Sequence, residues 1–170
     1  AMYIAEYNVA SGRVNGSTND RVVLYKSTDL GATWWAAATW NDDGSNHHIR
    51  HFHAVIQNPV TKGLLLLTGD TNSECGIIQW DGLSALVSNQ TPSGYLGAKT
   101  GAQHYRCCDI VFEGDYGYVF ADADTNETTP SDVGLWRFQA ADLSGWTRID
   151  GRAISETSGR WGFMGIRTAS

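Results

Sequence analysis

The eight residues STDLGATW, at positions 27–34, separate two short apolar runs, VVLY at 22–25 and WAAATW at 35–40. Short apolar runs that flank a polar segment containing glycine are typical of two β-strands joined by a turn. The segment also gathers a carboxylate, hydroxyl groups and a tryptophan in one loop. A turn, a metal loop and a catalytic site are therefore the interpretations to distinguish.

The residue types of this segment fit turn chemistry best. Asp29 has a short side chain that can accept hydrogen bonds from backbone N–H groups of its own loop, and Gly31 can adopt a positive φ without steric cost. Ser27 and Thr33 can add local hydroxyl bonds. Trp34 can pack back on the hairpin. We therefore predict a structural turn here rather than an active site.

The same pattern of short apolar runs continues along the whole chain. Clusters of Gly, Asp, Asn and Ser separate the runs, and no window has sustained helical spacing. The chain has 19 Gly, seven Trp and seven Tyr, a composition that suits turn-rich, pleated and half-buried surfaces. An all-β fold is predicted.

The chain also contains an internal repeat. Residues 53–74 line up with 108–128, each as strand, turn, strand and a loop carrying Asp-Thr-Asn. A second set of strand-turn-strand segments begins at positions 24, 77 and 135, which are 53 and 58 residues apart. A period near 55 residues, with about four strands in each unit, is typical of the blades of a β-propeller.

We expect a single β-propeller-like domain over residues 1–170, a β-propeller-type array of antiparallel four-stranded blades. The repeats are placed at 1–52, 53–106 and 107–160, with the start of a further unit at 161–170. About three blades are fewer than the roughly four to eight of closed propellers. Because open sheet faces expose apolar surface, the array is expected to be a partial propeller or one that a homo-oligomer completes.

The segment at 27–34 fills every signature position of the Asp-box, S-x-D-x-G-x-T-W. It thus resembles the BNR repeat of sialidase-like β-propellers, found in bacterial and phage glycan-directed proteins. The resemblance implies a propeller fold and a carbohydrate partner, and it implies a structural role for the box, away from the active-site face. No F/Y-R-I-P segment is present, so classical sialidase activity is not expected.

Charge and hydropathy exclude two classes of partner. The net charge is −6 and no run of Lys or Arg occurs, so the electrostatic footprint of a nucleic-acid binder is missing. The longest apolar run is far shorter than a membrane span, and no membrane partner is expected. A glycan partner favours an extracellular or virion-associated location.

The three cysteines, Cys75, Cys107 and Cys108, do not form a recognisable framework. Their number is odd, two are adjacent, and no C-x-x-C occurs. We interpret them as small buried or half-buried side chains.

Two histidines are the candidate metal ligands. On a strand, His51 and His53 project to the same face, in line with Ile49 and Val55. Two neutral imidazoles are half of a site for Zn or Mn, and His104 from the next repeat is a possible third ligand. The alternative is a pair of hydrogen-bonded histidines near the propeller axis.

The segment around His104, Tyr105 and Arg106 is the candidate catalytic group. In a lyase reaction on a uronic acid, a cation neutralises the carboxylate while a His or Tyr removes the adjacent proton. In plain sugar binding, the same residues supply a stacking ring and a bidentate donor. The alternative is that these residues only cap a blade.

Two loops that follow equivalent strands carry the candidate substrate-binding carboxylates, Asp70, Glu74, Asp124 and Glu127. Side by side at one rim, they are suited to Ca²⁺, to sugar hydroxyls or to a hydrolase pair. Because the Asp-Thr-Asn motif repeats, turn formation is the alternative.

The sequence therefore predicts a glycan-recognising or glycan-processing propeller domain, with a divalent metal (Zn, Mn or Ca) as a possible cofactor. An enzyme of this kind would be a glycoside hydrolase or a polysaccharide lyase. The competing hypothesis is a non-catalytic structural or binding module, of the phage-tail or secreted-adhesin type.

Overall fold

The protein is described by a computed structural model, and its described part is built from three antiparallel β-sheets. The described residues are 1–7, 21–41, 49, 51–69, 72, 74–82, 95–122 and 133–149. In this part of the chain, no helix has the length and hydropathy of a membrane span. The predicted all-β fold is confirmed.

In each sheet the strands are hydrogen-bonded in chain order, as a meander. The first sheet consists of β1 (Met2–Ala5), β2 (Arg21–Ser27) and β3 (Trp35–Asn41). The middle sheet consists of β4 (His51–Gln57), β5 (Leu64–Gly69), β6 (Gly76–Trp80) and β7 (Tyr95–Thr100). The third sheet consists of β8 (Val111–Glu113), β9 (Tyr116–Phe120), β10 (Leu135–Gln139) and β11 (Thr147–Arg148). A short 3-10 helix, Gln103–Tyr105, lies between β7 and β8.

The sheets follow the internal repeat of the sequence. The hairpin of β4 and β5 lies in one aligned segment and the hairpin of β8 and β9 in the other, while β2, β6 and β10 begin the second set. Two of the sheets have four strands, and three strands are described in the first. The division into repeats remains a prediction.

The middle sheet lies between two hydrophobic cores, because successive side chains of a strand point to opposite faces. Leu66 and Ile78 pack in the first core, against Val22 and other residues of the first sheet. Leu65 and Leu67 pack in the second core, against the third sheet. Both faces of the middle sheet are therefore covered, which explains the nearly continuous burial of β5 and β6.

Hydrogen bonds also join neighbouring sheets. The hydroxyl of Tyr3 donates to the carbonyl of Gly82 over 3.1 Å, linking the first sheet to the end of β6. The side-chain amide of Asn58, which is fully buried, donates to the carbonyl of Ala140 over 2.6 Å. The three sheets are thus packed in the order in which they occur along the chain.

A β-bulge changes the alternation of β4. The pairing of β4 with β5 shifts between Phe52 and Ala54, so that His53 is the extra residue. Phe52 and Val55 consequently both pack in the first core, whereas Ala54 packs against the second. The expectation that Val55 lies in line with His51 is wrong, because it assumed an unbroken strand; Val55 shares the face of Phe52, which is opposite to that of His51.

The segment at 27–34 forms a turn closed by its own side chains. The carboxylate of Asp29 accepts hydrogen bonds from the hydroxyl of Ser27 (2.8 Å) and from the backbone N–H (2.9 Å) and hydroxyl (2.5 Å) of Thr33. Gly31 has φ +90°, and its carbonyl accepts the indole N–H of Trp34 over 3.0 Å. The bonds from Thr33 and Ser27 lower the pKa of Asp29 to about 2.

A turn of the same type follows β10, in the repeat that lacks a complete box. The Asp142 carboxylate accepts the backbone N–H of Ser144 over 2.9 Å. Hydrogen bonds from the side chain and backbone of Ser144 lower the pKa of Asp142. Leu143 has φ +58°, close to the +59° of Leu30. The indole N–H of Trp146 donates to the carbonyl of Leu143 over 2.8 Å. Both turns therefore combine an Asp carboxylate as acceptor with a Trp indole as donor, although Asp29 accepts from the residue four positions ahead and Asp142 from the residue two positions ahead.

Candidate functional site

The two predicted histidines are in direct contact at the start of β4. Their Nε2 atoms are 3.1 Å apart, and their rings stack with centroids separated by 5.0 Å. His51 is buried, whereas His53 is partly exposed. The imidazole of His53 lies over Gly69, where an added Cβ would overlap the ring. The glycine that ends β5 therefore makes room for His53.

His53 also reaches the segment that leads into the third sheet. Its Nδ1 is 3.1 Å from the carbonyl oxygen of Cys107 and 3.9 Å from the Sγ of Cys108. The same Sγ is 3.7 Å from Oδ2 of Asp122, the second residue after β9. One ligand atom from each of His53, Cys108 and Asp122 lies within 4.8 Å of the other two. We call these three residues the His53–Cys108–Asp122 cluster.

Arg106 contacts this cluster through Asp122. Its guanidinium is 3.6 Å from Oδ2 of the carboxylate, and the two side chains are 15% and 44% exposed, respectively. The backbone N–H of Asp122 also donates to the carbonyl of Arg106 over 2.8 Å. The residue that follows the 3-10 helix is thus held against the end of β9 by its main chain as well as by its charge.

Tyr7 provides an exposed aromatic ring beside the histidines. The ring centroid is 4.3 Å from that of His51 and 6.3 Å from that of His53, yet 56% of Tyr7 is exposed. The preceding residue is tied to β4, since the backbone N–H of Phe52 donates to the carbonyl of Glu6 over 3.2 Å. The site therefore combines an exposed ring with polar groups from separate elements.

His104 and Tyr105 belong to a different cluster. His104 stacks on Trp136 at a centroid distance of 4.5 Å, and Tyr105 meets Trp146 edge to face at 4.9 Å. Trp146 in turn stacks on Phe138 at 4.6 Å. We call these five side chains the aromatic cluster. The three adjacent catalytic candidates therefore have different surroundings. His104 and Tyr105 pack in the aromatic cluster, whereas Arg106 pairs with Asp122.

The predicted carboxylate rim is only partly described. Glu74 lies in the turn before β6, where its backbone carbonyl accepts the hydroxyl of Thr68 over 2.8 Å. Asp70, Asp124 and Glu127 lie outside the described residues. Their role as substrate-binding groups remains a prediction.

The three cysteines are free thiols, buried or half-buried as the sequence predicts. Burial raises the pKa of Cys75 to about 11 and that of Cys107 well above its usual value. Both are therefore protonated at neutral pH and poor ligands. Cys108 differs, because it is partly exposed and stands beside His53 and Asp122.

Sequence reasoning missed three residues of this site: Cys108, Asp122 and Tyr7. A signal existed for Cys108, because His53 and Cys108 begin the two aligned segments of the repeat. Equivalent positions of neighbouring repeats are expected to lie side by side when the repeats pack against each other. A signal existed for Asp122 as well, because it opens the loop at 122–127 that carries the predicted carboxylates Asp124 and Glu127. Nothing in the sequence indicated Tyr7.

Comparison with protein-family models, curated proteins and solved structures finds no match for this chain. The function is therefore argued from the chemistry of the site.

Proposed function

We propose that the chain is a glycan-recognising domain of the β-propeller type, and that its binding site is the surface formed by Tyr7, His53, Arg106 and Asp122. The observation that carries this proposal is that the partly exposed His53 has an exposed aromatic ring on one side and a charged pair on the other. The ring of Tyr7 is 6.3 Å away between centroids, and His53 lies in one cluster with Asp122, which pairs with Arg106. An aromatic ring packs on the apolar face of a sugar. A guanidinium and a carboxylate supply donors and acceptors for its hydroxyl groups.

The propeller assignment is supported by the way the sheets stack. Three antiparallel meanders follow one another in chain order, and the middle one is covered on both faces. The paired turns at Asp29 and Asp142 repeat at equivalent strand ends. Packing of successive antiparallel four-stranded sheets against one another is how blades are arranged in a propeller.

The outer face of the first sheet supports the idea that the array continues. Tyr3 and Ala5 of β1 pack against the first core, so Met2 and Ile4 project from the opposite face. These two side chains are 47% and 52% exposed. An apolar sheet face suits contact with a further blade or with a second copy of the chain.

Glycan binding is tested by affinity electrophoresis against a panel of neutral and acidic polysaccharides, followed by calorimetry on the best ligand. We expect Tyr7→Ala to weaken binding by about tenfold or more, which corresponds to about 1.4 kcal/mol. Trp35→Ala is the matched control, because Trp35 is a 43% exposed aromatic residue of the first sheet. Equal binding by wild type and Tyr7→Ala, or no retardation by any polysaccharide, would overturn the proposal.

Catalysis by His104, Tyr105 and Arg106 stays a prediction with its own test. The bound polysaccharide is incubated with the protein, and new reducing ends (hydrolase) or the ultraviolet absorbance of an unsaturated uronide (lyase) are followed. Loss of turnover in His104→Ala with unchanged glycan affinity supports a catalytic group. A wild type that binds but releases no product identifies a binding module.

A non-catalytic structural module is the second candidate, favoured by the exposed apolar face of β1. A chain of 18.5 kDa that forms a stable multimer and binds no polysaccharide would establish this candidate. Sedimentation velocity on wild type and Ile4→Asp distinguishes the cases, because a charge on that face should dissociate the multimer.

A further inference from the structure

We propose that the His53–Cys108–Asp122 cluster is a zinc site. The cluster joins an imidazole from β4, a thiol from the segment before β8 and a carboxylate from the segment after β9. Bond lengths of about 2.3 Å for Zn–S and about 2.0 Å for Zn–N and Zn–O place tetrahedral ligand atoms about 3.5 Å apart. The Sγ of Cys108 is 3.9 Å from Nδ1 of His53 and 3.7 Å from Oδ2 of Asp122. Both distances are close to the tetrahedral spacing, and the ligand atoms of His53 and Asp122 lie within 4.8 Å of each other.

The donor set selects zinc among the divalent metals. A thiolate is a soft ligand, which Ca²⁺ and Mn²⁺ do not favour, and imidazole with thiolate suits Zn²⁺. The thiolate of Cys108 and the carboxylate of Asp122 together balance the charge of the ion. Binding of the ion by the thiolate releases the thiol proton. Three protein ligands leave a fourth position open to water or to a sugar oxygen.

The histidine pair has two proton arrangements, and the metal selects one of them. Without a metal, His53 can donate Nδ1–H to the carbonyl of Cys107 at 3.1 Å. With zinc on Nδ1, the proton of His53 is on Nε2, which donates to Nε2 of His51 at 3.1 Å. A ligating histidine normally donates its other ring N–H to such an acceptor. His51 is then a positioning residue, rather than the ligand that the sequence predicted.

The Arg106–Asp122 pair is compatible with this site. A carboxylate has two oxygens with about four lone-pair directions, so Asp122 can accept from Arg106 and ligate an ion together. The zinc site shares residues with the proposed glycan surface but does not rest on it. Metal affinity is measured with no sugar present, so the two proposals fail separately.

The test is titration of the metal-depleted full chain with Zn²⁺, and with Co²⁺ as a spectroscopic probe. We expect a single ion per chain, with a sulfur-to-cobalt charge-transfer band and the visible bands of tetrahedral cobalt. Cys108→Ser should abolish the charge-transfer band and lower zinc affinity by about 100-fold, and His51→Gln should lower it by about tenfold. Cys75→Ala is the matched control, because the Cys75 thiol lies outside the cluster. This variant should keep the charge-transfer band and the zinc affinity of the wild type.

Near-ultraviolet circular dichroism of each variant establishes that it is folded. A folded wild type that takes up no zinc at micromolar concentration would overturn the proposal. A cobalt spectrum that is the same in Cys108→Ser as in wild type would overturn it too. Asp122→Asn provides the third arm: zinc affinity that is unchanged in this folded variant contradicts the assigned ligand set.

Discussion

Gly69 and His53 show how a single residue without a side chain shapes the site. The imidazole of His53 occupies the space where a Cβ at position 69 would lie, and from there it reaches both His51 and Cys107. Glycine is thus required at position 69 because the ring of His53 lies too close to leave room for a Cβ. Any residue with a Cβ at this position should displace the histidine from its partners.

Gly69→Ala should destabilise the protein by about 1–3 kcal/mol, the usual cost of overpacking a closely packed position. Chemical denaturation measures the change in the free energy of unfolding. In the background of His53→Ala, which removes the ring, the same substitution should cost much less. An equal cost in both backgrounds would show that the overlap with His53 is not the cause.

The Asp29 carboxyl group should titrate with a pKa of about 2, because hydrogen bonds from Thr33 and Ser27 stabilise its charged form. The folded pKa is depressed below the ordinary 3.8, so the contribution to stability is present above pH 3.8 and is lost as the pH falls toward 2. A titration followed by NMR of the side-chain carboxyl carbon measures this value. Thr33→Val should raise it toward 3.8, and a wild-type value already near 3.8 would refute the hydrogen-bond account.

Single residues also mark the limit of sequence reasoning. The role of Asp29 could be predicted because every partner lies within a few positions along the chain. The contacts of His53 are harder to predict, because Cys108 and Asp122 come close to it only after two sheets have packed together, and the repeat alignment indicates only that positions 53 and 108 are equivalent. Local hydrogen bonds can be inferred from a motif, whereas long-range convergence requires the fold.

Among the elements, the positions of the strands could be predicted from the sequence, whereas the bulge in β4 could not. Short apolar runs between polar clusters predict strands well, and the hairpins of the repeat lie where the aligned segments place them. The bulge at His53 was not predictable, because nothing in HFHAVIQ distinguishes an extra residue from an ordinary alternation. The extra residue in β4 determines that Val55 faces the first core and Ala54 the second.

The two Asp-containing turns should respond alike to loss of their indole hydrogen bond. Trp34→Phe removes the bond to the carbonyl of Gly31, and Trp146→Phe removes the bond to the carbonyl of Leu143. We expect each to lower the free energy of unfolding by about 1 kcal/mol for the lost hydrogen bond, with a further loss at position 146, where the indole also stacks on Phe138. Thermal and chemical denaturation of both variants measure it. A large cost at one turn and none at the other would contradict their equivalence.

At the scale of the whole molecule, the middle sheet holds the described structure together. Its two faces contribute to separate cores, so the first and third sheets are stabilised by contact with opposite sides of one sheet. The all-β class could be predicted from periodicity alone. The order of stacking could not, because periodicity says which residues are buried but not against which sheet.

Adjacent leucines of β5 should be equally important although they face different cores. Leu66 and Leu67 are both fully buried, in the first and second core respectively. Each substitution by alanine should cost about 2–5 kcal/mol in the free energy of unfolding. Ile4→Ala, at a 52% exposed position, is the control and should cost much less. If only one of the leucines mattered, the middle sheet would have a single buried face.

The central proposal is that Tyr7, His53, Arg106 and Asp122, which come from segments of all three sheets, form one glycan-binding surface. The most direct measurement is a map of amide chemical shifts of the labelled wild type as the best-binding glycan is added. We predict that the largest changes fall at Tyr7, His53, Arg106 and Asp122, and that Met2 and Trp35 stay unchanged. Changes centred on the outer face of the first sheet, with none at Tyr7 and Arg106, would contradict the account.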